Sequence, residues 1–125
     1  MSYRKSLSII GDLESEVKQV RNNLAFRIDS RVCLETPVDT GEARINWLVT
    51  DGRPTSEHIQ TELNASGAAA VAIQKGSEQI QSAKVFTELY IQNNAPHIER
   101  LNEGWSEQAP SKYIDTIISQ EVARG

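Results

Sequence analysis

Cysteine is almost absent from this chain: among 125 residues only Cys33 carries a thiol. One thiol cannot close an intramolecular disulfide, and it leaves no cysteine-based zinc cluster. Aromatic residues are scarce, at 6%. No apolar run approaches the ~20 residues of a membrane span. Met1 to Leu7 carry charge but no long apolar stretch follows, so no secretory signal is expected and a reducing, aqueous compartment is. Basic charge is also in deficit, with 13 Lys+Arg against 17 Asp+Glu and a net charge of −4. Residues 1–35 hold six positive and five negative charges, and residues 36–125 hold seven and twelve. Neither part is a basic tail, which argues against a nucleic-acid binder held by bulk charge. No phosphate-cradling glycine loop occurs.

What is present suffices for one folded unit, a single domain over 1–125. A chain of this length buries roughly two-thirds of its unfolded surface. Its hydrophobic share, 38%, is low. Such a chain either folds with modest stability or gains burial by assembling.

Leu7, Ile10, Leu13, Val17, Val20, Leu24, Ile28 and Val32 are spaced by 3, 3, 4, 3, 4, 4 and 4 residues. That is one stripe of an amphipathic helix. Gly11 weakens its start, so Asp12 is a candidate N-cap. Pro37 disfavours helix at Thr36 and sets the end near Glu35. The average step is closer to 3.6 than 3.5, which favours a core helix over a free coiled coil. Ile45, Trp47 and Val49 alternate with Arg44, Asn46 and Leu48 as in a short strand. From Ser56 to about Ser82 helix is expected, in two pieces because of Gly67 and Gly76, with Ile59, Leu63, Ala70, Ile73 and Ile80 on one face. Lys84 to Gln92 alternates throughout and predicts a second strand. A helical turn fits His97 to Asn102, ended by Gly104. Ser111 is placed to cap a last helix, with Ile114, Ile117, Ile118 and Val122 on one face. The order predicts an α+β fold: a long N-terminal helix packed on a small antiparallel sheet, with additional helices.

Few constellations carry chemistry. Asp39-Thr40-Gly41 matches the loop in which aspartic proteases pair two carboxylates. Those enzymes are nearly all β, whereas this motif follows a long helix, and no apolar flap hairpin is visible. A dimeric protease, or a regulatory interaction module, is the alternative function. Gly104-Trp105-Ser106-Glu107-Gln108 starts like a nucleophile elbow but lacks the final glycine. His58, His97 and Cys33 have no metal spacing, so no metal and no cofactor are expected. Asn64-Ala65-Ser66 is a chance glycosylation triplet.

Two turn-rich islands remain. One spans 36–47, from Thr36-Pro37-Val38-Asp39-Thr40-Gly41 to Arg44, Asn46 and Trp47. The other spans 93–110: Asn93-Asn94-Ala95-Pro96, then Arg100, Leu101, Glu103-Gly104-Trp105-Ser106 and Gln108-Ala109-Pro110. Their bland role is to fix a strand against a helix, with oxygens of Asp39 or Thr40 capping the turn. Their functional role is an interaction loop, because a Trp in a polar stretch anchors interfaces. On that view the loop from Leu101 to Pro110, with Arg100 and Glu103, lies at a subunit or partner contact.

The two islands resemble the signature of tailed-phage tail-completion proteins, the group that includes the lambda minor tail protein Z and the HK97 gp10-like proteins. Order and separation also fit, with the Gly67–Ala72 helical stretch between them. His97 and Ile98 stand where the family has Tyr and Ala, and Ser111-Lys112-Tyr113 replaces an Ala-Gly pair followed by an aromatic or Met. A glycine there permits backbone angles that a lysine resists. The resemblance implies a non-enzymatic virion protein of the head–tail junction, assembled in the host cytoplasm. It implies a cyclic homo-oligomer of six or twelve copies, with ring closure templated by the connector. The implied partners are the connector or head-completion protein and the tail terminator or tail tube. Genomic DNA would pass nearby without specific binding, and no membrane is involved.

Overall fold

The apolar stripe lies on one long helix, α1 (Ser2–Glu35), in a computed structural model that describes residues 2–37, 41–104 and 109–125, with α1 side chains described from residue 13 onward. The helix continues through Gly11 without interruption, so Asp12 is not an N-cap. One glycine inside a helix costs only about 1 kcal/mol, which the good helix formers around it offset. The end falls as expected. Thr36 turns both its N–H and its Oγ1 back to the Val32 carbonyl, at 3.2 and 2.6 Å. Pro37 then has no N–H to continue the ladder.

After α1 come a short turn of helix, α2 (Glu42–Ile45), and strand β1 (Trp47–Asp51). The strand therefore begins later than the alternation suggested, because Arg44 and Ile45 belong to α2. Trp47, Leu48 and Val49 are all buried, so the two-residue period breaks here too. An extended segment, residues 54–64, crosses to helix α3 (Ala65–Ser82). The expected helix from Ser56 is thus absent up to residue 64, and Ile59 and Leu63 are not on a helical face. α3 is one piece, running through Gly67 and Gly76. Its buried residues are Ala68, Ala69, Ala72, Gly76 and Ile80, while Ala70 is exposed. That largely small-residue stripe lets α1 approach closely, and Gly76 sits against the Asp29 carboxylate. A methyl group at 76 would collide with it.

Strand β2 (Leu89–Asn93) pairs antiparallel with β1, Trp47 opposite Asn93 and Val49 opposite Ile91. The sheet is two-stranded among the described residues. Residues 84–88 are not strand: Phe86 takes φ +63° and is 74% exposed. Arg21 of α1 holds this turn by donating to the carbonyls of Thr87 and Ala83, at 2.9 and 3.3 Å. Then follow α4 (Ile98–Asn102) and α5 (Tyr113–Arg124). Gly104, at φ +93°, ends α4 as anticipated.

α5 buries Tyr113, Ile117 and Glu121, whereas Ile118 and Val122 remain 42% and 56% exposed, contrary to the expected face. A charge cluster explains the rotation. Glu121, 1% exposed, receives Arg27, Arg31 and Arg124, each at 3.0 Å. Burial pushes its carboxyl up, but the hydrogen bonds from Arg31 and Arg27 and the charge of Arg124 outweigh that and leave it below the ordinary value. The core cluster of Val32, Cys33, Trp47, Ala72, Tyr113 and Ile117 joins α1, β1, α3 and α5. The fold is α+β, with the long helix, the small antiparallel sheet and further helices as expected.

Candidate functional site

The first island closes around Thr36, and the second meets it through Asn93. The Thr36 side chain is fully buried. Trp47 donates its Nε1–H to Thr36 Oγ1 at 2.8 Å, and the Tyr113 hydroxyl lies 3.1 Å from the same oxygen. Thr36 Oγ1 in turn donates to the Val32 carbonyl. Arg44 donates Nε–H to the Thr36 carbonyl at 2.9 Å. One hydroxyl thereby ties the end of α1 to β1 and to the start of α5. Burial pushes the Tyr113 phenol up, only partly countered by its bond to Thr36 and the nearby Arg44 charge.

The asparagines act as clamps on backbone. Asn93 Nδ2 donates to the Ala43 carbonyl at 2.7 Å, fixing α2 to β2. Asn94 Nδ2 donates to the carbonyls of Thr55 and Glu57, at 3.0 and 2.8 Å. Asn46, fully buried, donates to the carbonyls of Glu42 and Ile59 and accepts from the Ile59 N–H at 2.7 Å. Gln92 exchanges bonds with Thr55, accepting from its N–H at 2.8 Å. The extended segment 54–64 has no sheet partner, so these side chains supply its missing hydrogen bonds.

Gly41 is buried with an ordinary φ of −76°. What demands glycine is space: a methyl group would meet the Leu63 carbonyl and sit 2.9 Å from the Ala68 Cβ. Pro37 is buried beside the hub, and Leu101 is half-buried against the core. Pro96, Arg100 and Glu103 are exposed. Pro110 rims an open groove of about 410 Å³ that Arg31, Leu34, Pro37, Arg44 and Tyr113 also line. Asp39, Thr40, Trp105 and Gln108 lie outside the described residues, and with them the cap expected from Asp39 or Thr40 and the tip of the expected interface loop.

Sequence reasoning missed Asn102. Ser111 does not cap α5; its hydroxyl donates to the Glu103 carbonyl at 3.2 Å. Asn102 does the work from eleven positions before the first residue of the helix. Its Oδ1 accepts the Ile114 N–H at 2.9 Å, its carbonyl accepts the Lys112 N–H, and its Nδ2 donates to Asp115 at 3.0 Å. Only a remote-cap geometry would have revealed it. Lys112 takes the left-handed conformation, φ 62° and ψ 33°, at the position where the resemblance has glycine. Asn64, the glycosylation look-alike, accepts the Gly67 N–H at 2.8 Å and caps α3.

Chemically this is a scaffold of backbone clamps. Among the described residues no group of three His, Cys, Asp or Glu could hold a metal ion. His58 pairs with Glu42 at 3.1 Å on the surface. The Cys33 thiol is buried, and burial and the neighbouring Asp29 push its pKa up, so it stays protonated. No helix among the described residues is long and apolar enough to cross a membrane. No family model, no curated protein and no solved structure matches the chain.

Proposed function

We propose that this chain is a structural protein of the tailed-phage head–tail junction, a tail-completion protein that works as a cyclic homo-oligomer. Six or twelve copies would join the connector or head-completion protein to the tail terminator or tail tube. The chain performs no catalysis in this role, and DNA passes without specific binding. The observation that carries the proposal is the convergence of the two signature islands. Asn93 of the second island clamps the Ala43 carbonyl of the first, fifty positions away, and Asn93 also stands opposite Trp47 in the sheet. A chance pair of turn motifs has no reason to be clamped side by side.

Cryo-EM of the intact neck tests the proposal. It is expected to show a ring containing this chain between portal and tail, and particles lacking it should accumulate as filled heads and separate tails. A single copy per particle, or none, overturns it.

A further inference from the structure

The stripe on α1 outruns the body that it serves. α5 runs back along α1, from Tyr113 beside Thr36 to Glu121 beside Arg27, and ends at Arg124. Arg27 and Arg31 fall within roughly 50° of the stripe at ~100° per residue, so α5 covers this side of α1. Leu13, Val17 and Val20 lie beyond its end and are 55%, 44% and 65% exposed. The face that Arg21 and Ala25 turn toward the body is rotated from them by roughly 90°. The sheet and α3 therefore leave the stripe uncovered.

The spacing changes where the cover stops. From Ile10 through Leu13, Val17 and Val20 to Leu24 the steps are 3, 4, 3 and 4, a two-heptad seam. From Leu24 onward, where α5 packs, every step is 4. A 3.5-residue period suits a partner helix running alongside, whereas steps of 4 follow a surface that stays within the body. The flanks carry complementary charge. With Leu13 and Val20 at d and Val17 at a, Glu16 takes a g position and Arg21 the following e position. In parallel helices g faces the e position five residues on in the neighbour, which sets Glu16 of one copy against Arg21 of the next. Glu16 is exposed. Arg21 donates from all three guanidinium nitrogens to the carbonyls of Lys84, Thr87 and Ala83 and to the Asn22 amide oxygen, neutral acceptors that leave its charge without an ion-pair partner among the described residues, so a neighbour's Glu16 would meet it by charge.

We propose that the Leu13–Val17–Val20 face of α1 docks onto the same helix of a second copy, parallel and in register, with Glu16 against the neighbour's Arg21. This rests on the neck-protein reading only for the ring. The pairing of arms stands on the seam itself. Rotation about a ring axis also keeps arms parallel where they lie along that axis.

The full chain tests this by sedimentation and by oxidative trapping. Wild-type protein is expected to self-associate with rising concentration, and Val17→Asp to weaken that at least ten-fold. The melting temperature of dilute Val17→Asp should match wild type, because Val17 is exposed and joins neither core cluster among the described residues. Val17→Cys and Val20→Cys are each expected to form a disulfide dimer on oxidation, since both residues meet their own counterparts only in a parallel, in-register pair. Glu16→Arg should weaken association, and added salt should lessen the difference. Association unchanged by Val17→Asp overturns the proposal, as does failure of Val17→Cys or Val20→Cys to cross-link at high concentration. A neck ring that persists with Val17→Asp removes the arm contact while leaving the neck assignment standing. Arm pairing in solution by a chain absent from particles does the reverse.

Discussion

Lys112 shows what a single backbone angle does. An L-residue in the left-handed region crowds its Cβ against the next carbonyl at a cost of ~1–2 kcal/mol. Lys112 accepts that strain because its N–H must reach the Asn102 carbonyl while Tyr113 turns into the core. Glycine removes the clash but loses more entropy on folding, by roughly 0.5–1 kcal/mol. We expect Lys112→Gly to stabilise the fold by about 0.5–1 kcal/mol and Lys112→Ala to change little. Urea unfolding of the three proteins decides it, and destabilisation by the glycine would count against the left-handed turn. Gly41 is the opposite case. Its backbone is ordinary, and the constraint is the closeness of Leu63 and Ala68.

At the scale of elements, the extended segment 54–64 depends on side chains for order. Asn46 is its central clamp, with three hydrogen bonds of 2.7–2.9 Å to Glu42 and Ile59. Removing a buried amide leaves such backbone groups unpaired, at ~1–3 kcal/mol. Asn46→Ala is expected to destabilise the chain by about that much and to speed amide hydrogen exchange around Ile59 before it affects α1. Unchanged exchange at Ile59 would show that the segment is held by other means. The same segment explains which elements were legible in the sequence. α1 was readable because its stripe repeats many times and Pro37 stops it. The stretch from Ser56 read as helix because its composition is helical, but Asn46, Gln92 and Asn94 offer its backbone another set of partners. Periodicity cannot register partners thirty-seven residues away. β2 was placed early because Lys84–Glu88 alternates as a strand does, while Arg21 draws that stretch into a turn. In the candidate site, Thr36, Trp47 and Asn93 were legible as motif members. The hydroxyl hub that joins Thr36 and Trp47 to Tyr113 was not, because Tyr113 lies outside both motifs, and Asn102 was invisible because it caps a helix it does not adjoin.

The whole molecule carries two carboxylates of opposite behaviour, and together they set its pH response. Asp29 is 1% exposed, and its Oδ2 has no hydrogen-bond partner among the described residues. Its Oδ1 accepts from the Cys33 thiol, at 3.9 Å. Burial pushes its pKa from 3.8 up to about 7, slightly opposed by that thiol. The folded state therefore holds a proton that the unfolded chain releases. The stability it confers is complete below 3.8, declines as pH rises, and is gone above about 7. At ~1.4 kcal/mol per unit the whole window amounts to on the order of 4 kcal/mol. Glu121 acts in the other direction. Its lowered pKa gives stability that is present above the ordinary carboxylate value and lost in acid. The maximum should therefore fall in weak acid, near the ordinary carboxylate range, with a decline toward neutrality that Asp29 causes. Glu121 is already ionised across that decline and does not contribute to it. We expect wild-type protein to unfold at lower urea at about pH 8 than at about pH 5, and Asp29→Asn, which has no proton to lose, to show the same midpoint at both. Asn also buries no charge where Asp29 is ionised, so at about pH 8 it should exceed wild type. A slope that survives in Asp29→Asn would place the titrating group elsewhere, and Cys33 would not supply it, because burial holds that thiol protonated throughout this range.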